Sequence, residues 1–507
     1  MENGEWRMVI IYICGMRKIF LLKGLLVILL ISAGTRGLIA QADKGLVIGG
    51  SKSDKGVGII RDSEDKIVIA GTSRSYGNSS DDFIIIRMNL EGEIDYQKLF
   101  GWDHHGRVHD IEETSDGNYL LFGEVWDWGY GREDMYLMKV DKKGDKLWEQ
   151  YYGGYHTDQG FDVKSLEDGF LALGYTSSQP GTTRGNYYLV RTDLEGNKIW
   201  ENNYGTEFLD FGFSVLPDSD ENFWLLGAAG GFYNPARADY MNHDSDMLLV
   251  ITDPDGNEIS RKEFGGNLHD WGKALLRTDD GGAYLLGSTQ SYGIGSFDMY
   301  LVRVDNLGNK VWDKTYGDTD FEYGEALVYD EEGNLLLLGT KQMPDLGMGP
   351  DMYIVKTDPT GNMIWDQTIG GPGSDYAFDL ISLADTGCMI VGEIEDLDKG
   401  DTDIYLARLN KDGVIMGIGE TDHVIGTDVL TFFPNPVSGQ ASIEWKSIPP
   451  PGGYKVLIFS TAGQLIESMD YESKPRIDLE LGNLPQGTYI YQVIYSNESL
   501  SGRFITR

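Results

Sequence analysis

One segment of the chain returns seven times, and that return constrains the fold more than any other feature. The clearest copy, residues 298–317, reads D-M-Y-L-V-R-V-D-N-L-G-N-K-V-W-D-K-T-Y-G. It is an apolar run, a turn at Asp-x-x-Gly-Asn, a second run carrying Trp, then Tyr-Gly. The turn glycine recurs at Gly92, Gly144, Gly196, Gly256, Gly308, Gly361 and Gly413, at intervals of 52, 52, 60, 52, 53 and 52 residues. A near-fixed period of this length marks a repeat architecture, in which each copy is one supersecondary unit that must stack on its neighbours to bury its apolar surface.

Each copy holds four strand-like runs. In the fifth they are residues 272–278, 283–290, 298–305 and 310–316, with Asp279-Asp280-Gly281-Gly282 and Asn306-Leu307-Gly308-Asn309 between pairs. Asp, Asn and Gly reach left-handed backbone cheaply, so both links read as tight hairpins. Runs such as Met299-Tyr300-Leu301-Val302 are apolar on both faces, as in a sheet covered on both sides. Seven four-stranded units without a helical period predict an all-β, seven-bladed β-propeller over residues 45–418, in which radial repetition leaves only short, protected edges. An open solenoid is the alternative, but it needs capping units that the sequence lacks. Leu46-Val47-Ile48-Gly49-Gly50 resembles the end of a repeat and is expected to close the ring on the last blade. The seventh copy has its own last run, residues 414–418, so the two segments are expected to compete for one edge.

Residues 1–42 read as a secretory signal peptide: Arg17 and Lys18 precede the apolar run 19–31, and Ala40-Gln41-Ala42 is an A-x-A site. Met16 is a more usual start than Met1. The run is short for a membrane span, and no transmembrane segment is expected once it is removed. The 507 residues carry a formal charge of −38, which makes nucleic acid and anionic membrane surfaces poor partners. The cysteines are Cys14 and Cys388 alone, so a mature chain cannot form an internal disulfide and rests on its core.

Three sets of side chains stand out in the repeats. Trp148, Trp200, Trp312 and Trp365 each follow the turn glycine by four residues, with Tyr96 and Ser260 in that place in copies one and four. This spacing resembles the tryptophan-docking motif of quinoprotein-type propellers, which implies indoles wedged between blades; nothing suggests a quinone. Asp54, Asp158, Asp210, Asp270, Glu322 and Asp375 open the first strands, with Asp103 standing in for copy two. Closed into a ring they would circle one mouth of the channel, either binding a cation such as Ca²⁺ or accepting backbone N–H groups in the inter-blade turns. The second-to-third-strand loops vary most. Trp126, Trp128 and Tyr130 lie in one; Phe232, Tyr233, Arg237, Tyr240 and His243 lie in the longest. Variable loops on a rigid scaffold are where binding usually resides, and these aromatics could stack on glycan rings or anchor a protein.

His104, His105 and His109, near Asp103 and Asp110, look like a metal cluster, but on a strand His105 and His109 lie about 13 Å apart, too far for one ion. Asp253-Pro254-Asp255-Gly256-Asn257 looks like a calcium loop without its later Glu and reads as a hairpin turn. The sequence has no G-x-S-x-G, H-E-x-x-H, phosphate-loop or zinc-spaced cysteine motif.

The period stops near Thr427. After a polar linker, residues 419–429, a new pattern begins at Phe432-Phe433-Pro434-Asn435-Pro436. It runs through residues 454–464, with Gly463, then Leu484-Pro485-Gln486-Gly487-Thr488-Tyr489, and ends at residues 502–507. Six or seven short strands with Gly and Pro turns predict a small immunoglobulin-like β-sandwich over residues 430–507. Pro434, Asn435, Pro436, Gly463, Gly487 and Tyr489 carry a resemblance to the type A C-terminal sorting domain of the type IX secretion system. That resemblance implies Sec export, recognition of the tail by the type IX machinery, residues 499–505 above all, and a mature protein that is secreted or held on the outer cell surface. The expected function is a non-enzymatic propeller that binds glycan or protein through loops on one face. The alternative is an extracellular polysaccharide hydrolase or lyase with carboxylates at the channel mouth.

Overall fold

The computed structural model describes residues 45–418 except 77–80, 102–104, 128–131, 179–184, 207, 231–244, 343–348, 372, 385–386 and 398–399. It also describes the strands and some connecting residues between 430 and 506, and residues 9–13 and 16–20. No helix occurs among them. Val9–Ile13 and Met16–Phe20 pair as a short antiparallel hairpin in a separate unit, Met1–Ile39. The rest of the expected signal peptide, from residue 21 to its A-x-A site, lies outside the described residues, as do the 419–429 linker and Trp128, Tyr130, Phe232, Tyr233, Arg237, Tyr240 and His243.

Seven antiparallel meanders follow one another along the chain, so the propeller is seven-bladed. Blade one runs Asp54–Arg61, Ile67–Ser73, Asp82–Met88 and Ile94–Phe100; blade five runs Asp270–Arg277, Ala283–Thr289, Asp298–Val304 and Lys310–Tyr316. The middle strands are buried on both faces, as at Asp298–Val304, where every residue is buried, because each is covered by the adjoining blades. The fourth strands form the outer rim, where Lys310 and Val311 are exposed, the middle of Lys310–Tyr316 is half-buried and Tyr316 is buried.

Leu46–Ile48 pairs with Asp401–Leu409 and supplies the outer strand of blade seven. Ile415–Met416 pairs with Arg408 and Leu409. The expected competition for this edge is resolved by division: the N-terminal segment takes residues 404–406 and the C-terminal one takes 408–409. A chain whose last sheet needs a strand from its start cannot close without folding as a whole, which removes an open edge at the cost of a long loop closure.

The blades meet through recurring contacts. Trp148, Trp200, Trp312 and Trp365 lie against the turn glycines of the next blade, Gly196, Gly256, Gly361 and Gly413. The Tyr152, Tyr204 and Tyr316 hydroxyls donate to the carbonyls of the same glycines at 2.7, 2.7 and 2.8 Å. Where copy four has Ser260, Ile251 and Leu249 fill the space beside Gly308. Blade seven has no Trp, and there Ile418 and Leu46 face Gly92 of blade one.

The carboxy-terminal sandwich has a three-stranded sheet, Leu430–Phe433, Gln440–Trp445 and Arg476–Glu480. Its four-stranded sheet has the order Leu465–Tyr471, Tyr454–Ser460, Gly487–Tyr495, Glu498–Thr506. Ile443, Leu479, Val456, Ile458, Tyr491 and Val493 form its own core. Tyr489 and Thr506 both donate to the Pro485 carbonyl, at 2.9 and 2.6 Å, tying the last strand to the Leu-Pro turn. Pro434, Asn435, Pro436 and Gly463 lie outside the described residues.

Candidate functional site: the mouth of the axial channel

The first strand of each blade lines the axis, and in every blade it carries a β-bulge at the same place. Pairing slips between Gly56 and Gly58, Val108 and Asp110, Gly160 and Asp162, Gly212 and Ser214, Gly272 and Ala274, Gly324 and Ala326, and Ala377 and Asp379. A bulge leaves one residue without a cross-strand partner and re-aims its side chain. Those seven residues are Val57, His109, Phe161, Phe213, Lys273, Glu325 and Phe378, and all of them line a cavity of about 520 Å³ at the axis.

Neighbours in this ring contact one another. The His109 and Phe161 rings are 5.2 Å apart, and Phe161 and Phe213 are 5.0 Å apart. Lys273 Nζ lies 4.6 Å from the Phe213 ring and 3.2 Å from Glu325 Oε2. Across the closure, Lys55 Nζ is 3.8 Å from the Phe378 ring and 3.7 Å from Glu393 Oε1. His109 Nε2 lies 2.8 Å from the buried Glu124 Oε2. Burial lowers Lys55, opposed by Glu393 and Glu325 and reinforced by Arg107 and Lys273, so these groups share one field.

In four blades the residue after the bulge accepts a backbone N–H of the next blade. Val163 N–H donates to Asp110 Oδ2 at 2.9 Å, Val215 N–H to Asp162 Oδ2 at 2.6 Å and Leu275 N–H to Ser214 Oγ at 3.3 Å. The closing pair follows the same rule, Ile59 N–H donating to Asp379 Oδ2 at 2.9 Å. Burial pushes Asp379 up to about 6 and Asp110 well above the usual carboxylate range. Burial alone would lower Lys164, but Asp110, Asp162 and Glu112 hold it well above its ordinary value.

The six acidic residues at the first-strand openings are buried and separately satisfied. Asp54, Asp158, Asp270 and Asp375 accept the backbone N–H four residues earlier, from Gly50, Gly154, Gly266 and Gly371 at 2.9, 2.8, 2.8 and 2.6 Å. Asp210 accepts the Thr206 N–H and hydroxyl. The Ser73, Thr176 and Thr289 hydroxyls donate to Asp54, Asp158 and Asp270. Blade six differs: Asp318, Asp320 and Glu322 lie close enough to share an ion, the one such group among the described residues. Lys341 Nζ stands at its centre, 2.7, 3.6 and 2.9 Å from the three carboxylates, so an ammonium takes the place a cation would fill.

Among the expected loop aromatics, Trp126 is described. It lies not in the loop but on Tyr119–Asp127, paired with Glu133, because these two strands run further than the sequence suggests. Its indole carries Arg107, with the guanidinium carbon 4.7 Å from the ring, and its Nε1 donates to Glu133. His105 faces Asp81 at 3.2 Å while His109 faces Glu124, so the two histidines serve different partners. Asp253 Oδ1 accepts the Asn257 N–H at 2.7 Å within a hairpin turn. Sequence reasoning passed over the bulge ring; its signal is the varied residue that follows Gly56, Gly160, Gly212, Gly272 and Gly324.

Two family models match parts of the chain. Residues 431–507 match the secretion system C-terminal sorting domain, and residues 64–97 match the β-propeller domain of unknown function DUF5122. No curated protein sequence matches the chain. An extracellular domain assigned to a hybrid two-component system of B. thetaiotaomicron aligns at 13% identity and TM-score 0.37, over 90% of this chain and 56% of that one. Puromycin hydrolase aligns at 12% identity and TM-score 0.46–0.47, over 79% and 59%. The GH93 α-L-arabinofuranosidase of Fusarium graminearum aligns at 10% and 0.41, over 72% and 97%. The chain therefore spans less than two thirds of the first structures it matches. It is a seven-bladed β-propeller followed by a type IX C-terminal sorting domain, which marks it for export to the cell surface or the extracellular space.

Proposed function

We propose that the exported propeller is a binding protein for an extracellular glycan or protein, and that it binds on the face where the second-to-third-strand loops and the channel mouth meet. The observation that carries this reading is the bulge ring: aromatic faces and charged groups converge on a cavity of about 520 Å³, within the range of small-ligand sites. Two features argue that these side chains do more than fill space. They are released from sheet packing by the bulge, and they touch in pairs across successive blades. Screening the purified full chain on a glycan array and against extracellular proteins tests it. Binding weakened by Phe213→Ala is expected; a chain that binds nothing in either screen refutes the proposal.

A hydrolase or lyase is the second reading, favoured by Glu325 and Glu393 opening into the same cavity. Each is held to a lysine, Lys273 and Lys55. Release of reducing or unsaturated ends from acidic and neutral polysaccharides, abolished in E325Q or E393Q, would support it.

A further inference from the structure

The charge balance of the cavity is opposite to that of the protein. Acidic residues outnumber Lys and Arg by 80 to 42 over the whole chain. Around the cavity the order reverses, with Lys55, Arg74, Arg107 and Lys273 against Asp81, Glu325 and Glu393. Three of these cations already have carboxylate partners: Lys55 with Glu393, Arg74 with Asp81, Lys273 with Glu325. Arg107 has none within ion-pair distance among the described residues. It is exposed, and its guanidinium carbon sits over the Trp126 ring, 4.7 Å from the centroid. Glu133, bonded to the Trp126 indole, is a carboxylate whose charge reaches Arg107 without a direct ion pair, so the guanidinium can still donate to a planar anion.

The wall supplied by the next two blades is aromatic. Phe161 and Phe213 stand side by side, and apolar ring faces of this kind suit the C–H faces of a pyranose. Ser53, Thr72 and Thr402 add hydroxyls that can meet those of a sugar. A free phosphate would use the cations and leave the aromatic wall idle. A neutral glycan would use the wall and leave Arg107 idle. A single ligand that uses both has an anion and a saccharide ring.

We propose that the channel mouth binds an anionic saccharide unit, with its carboxylate or sulfate on Arg107 and its ring against Phe161 and Phe213. This rests on the glycan-binding form of the function proposed above. Within a strongly negative protein, such a site would select by charge: the anion is repelled from the general surface and stabilised only where the basic residues gather.

The test is calorimetric titration of the full chain with trimers of galacturonate, glucuronate, mannuronate and guluronate, with sulfated galactan oligosaccharides, and with the carboxyl-reduced or desulfated counterpart of each. At least one anionic series should bind about tenfold more tightly than its neutral counterpart, the difference expected of one charge-assisted contact. That preference should shrink with added salt and vanish in R107Q, whose exposed position leaves the fold intact. K310M, which removes a cation from the exposed rim and leaves the cavity untouched, should retain the preference and so serves as a second folded variant. Equal binding of anionic and neutral sugars, lost in F213A, would overturn the charge assignment and leave the glycan reading standing. A preference that survives R107Q would overturn it too, as would binding of no saccharide at all; protein capture by the same face would then leave only the protein form of the proposed function. The uronate and sulfate arms decide which anion is taken.

Discussion

Blade six contains two hairpin turns that differ in one physical respect, and substituting their glycines separates the backbone cost of a residue from the cost of a blocked wedge. Gly333 joins Phe321–Tyr329 to Leu335–Gln342, and Gly361 joins Asp351–Thr357 to Met363–Ile369. Each N–H donates to an aspartate carbonyl three residues back, Gly333 to Asp330 at 3.0 Å and Gly361 to Asp358 at 2.9 Å. Each aspartate accepts the N–H four residues on, Asn334 at 2.8 Å and Asn362 at 2.9 Å. The φ values are +80° and +76°. A Cβ on Gly333 meets nothing within 4 Å, while one on Gly361 would lie 2.9 Å from Trp312 Cη2 and 3.0 Å from Lys314 Cδ. Alanine at either site carries a left-handed backbone cost of about 1 kcal/mol. At Gly361 it also overpacks the indole, adding about 1–3 kcal/mol. At on the order of 1–2 °C per kcal/mol for a domain this large, G333A should lower the thermal midpoint by about 1–2 °C and G361A by about 2–8 °C. Circular dichroism melts of the full-length variants read this. The double variant W312A/G361A should fall short of the sum of the singles by about 1 kcal/mol or more, because the obstructed ring is gone. Equal shifts in G333A and G361A, or strict additivity in the double variant, would refute the view that the indole confines the next blade's turn.

Three further outcomes are expected. Burial and the neighbouring Asp375 push Asp351 up to about 7, and its buried Oδ1 has no hydrogen-bond partner among the described residues. The fold thus binds that proton more tightly than the unfolded chain, so its contribution is full near pH 4 and is lost as pH rises through about 7. D351N should therefore raise the melting midpoint at pH 8 and change it little at pH 4; a benefit that grows toward low pH would contradict the assignment. In the closing strand Ile48 is buried and Val47 is 48% exposed, so I48D should cost about 3 kcal/mol or more and V47D under about 0.5, measured by melts. Truncation after Tyr495 removes Glu498–Thr506, opens an edge of the sorting domain's sheet, and should abolish appearance of the protein outside the cell, read by fractionation.

The fold was legible because every blade states its period through a turn glycine with φ between +74° and +83°, and five of the seven state it again through an aromatic residue four positions on that lies against the next blade's turn. The N-terminal strand was legible because Leu46-Val47-Ile48-Gly49 has the form of a fourth strand without a third before it. The channel lining was not. A bulge moves one residue out of the two-residue alternation, so Phe161 and Phe213 look like core positions and Lys273 like surface, though all three face one cavity. The acidic residues at the first-strand openings stand out by their spacing, but the hydroxyls that bind three of them, Ser73, Thr176 and Thr289, lie about 20 residues away, beyond any local pattern.

The repeats also serve as controls on one another. In the first strands the residue before the bulge is Gly56, Val108, Gly160, Gly212, Gly272, Gly324 or Ala377, small in six of the seven blades because the neighbouring blade's backbone and side chains come close. Two places after the bulge residue stand Ile59, Ile111, Val163, Val215, Leu275, Leu327 and Leu380, all aliphatic because they enter the core between blades. Between these two fixed positions the chain places valine, histidine, phenylalanine three times, lysine and glutamate. Absence of constraint would account for variety there, but not for partners: an imidazole beside a phenyl ring, that ring beside another, a lysine over the second and a glutamate on the lysine. Each contact joins consecutive blades, so a change in one repeat is matched in the next. That complementarity requires the seven positions to act as one surface, and it sets the ring apart from the rim, where Leu147, Ile199, Ile259, Val311 and Ile364 occupy equivalent exposed places with interchangeable side chains.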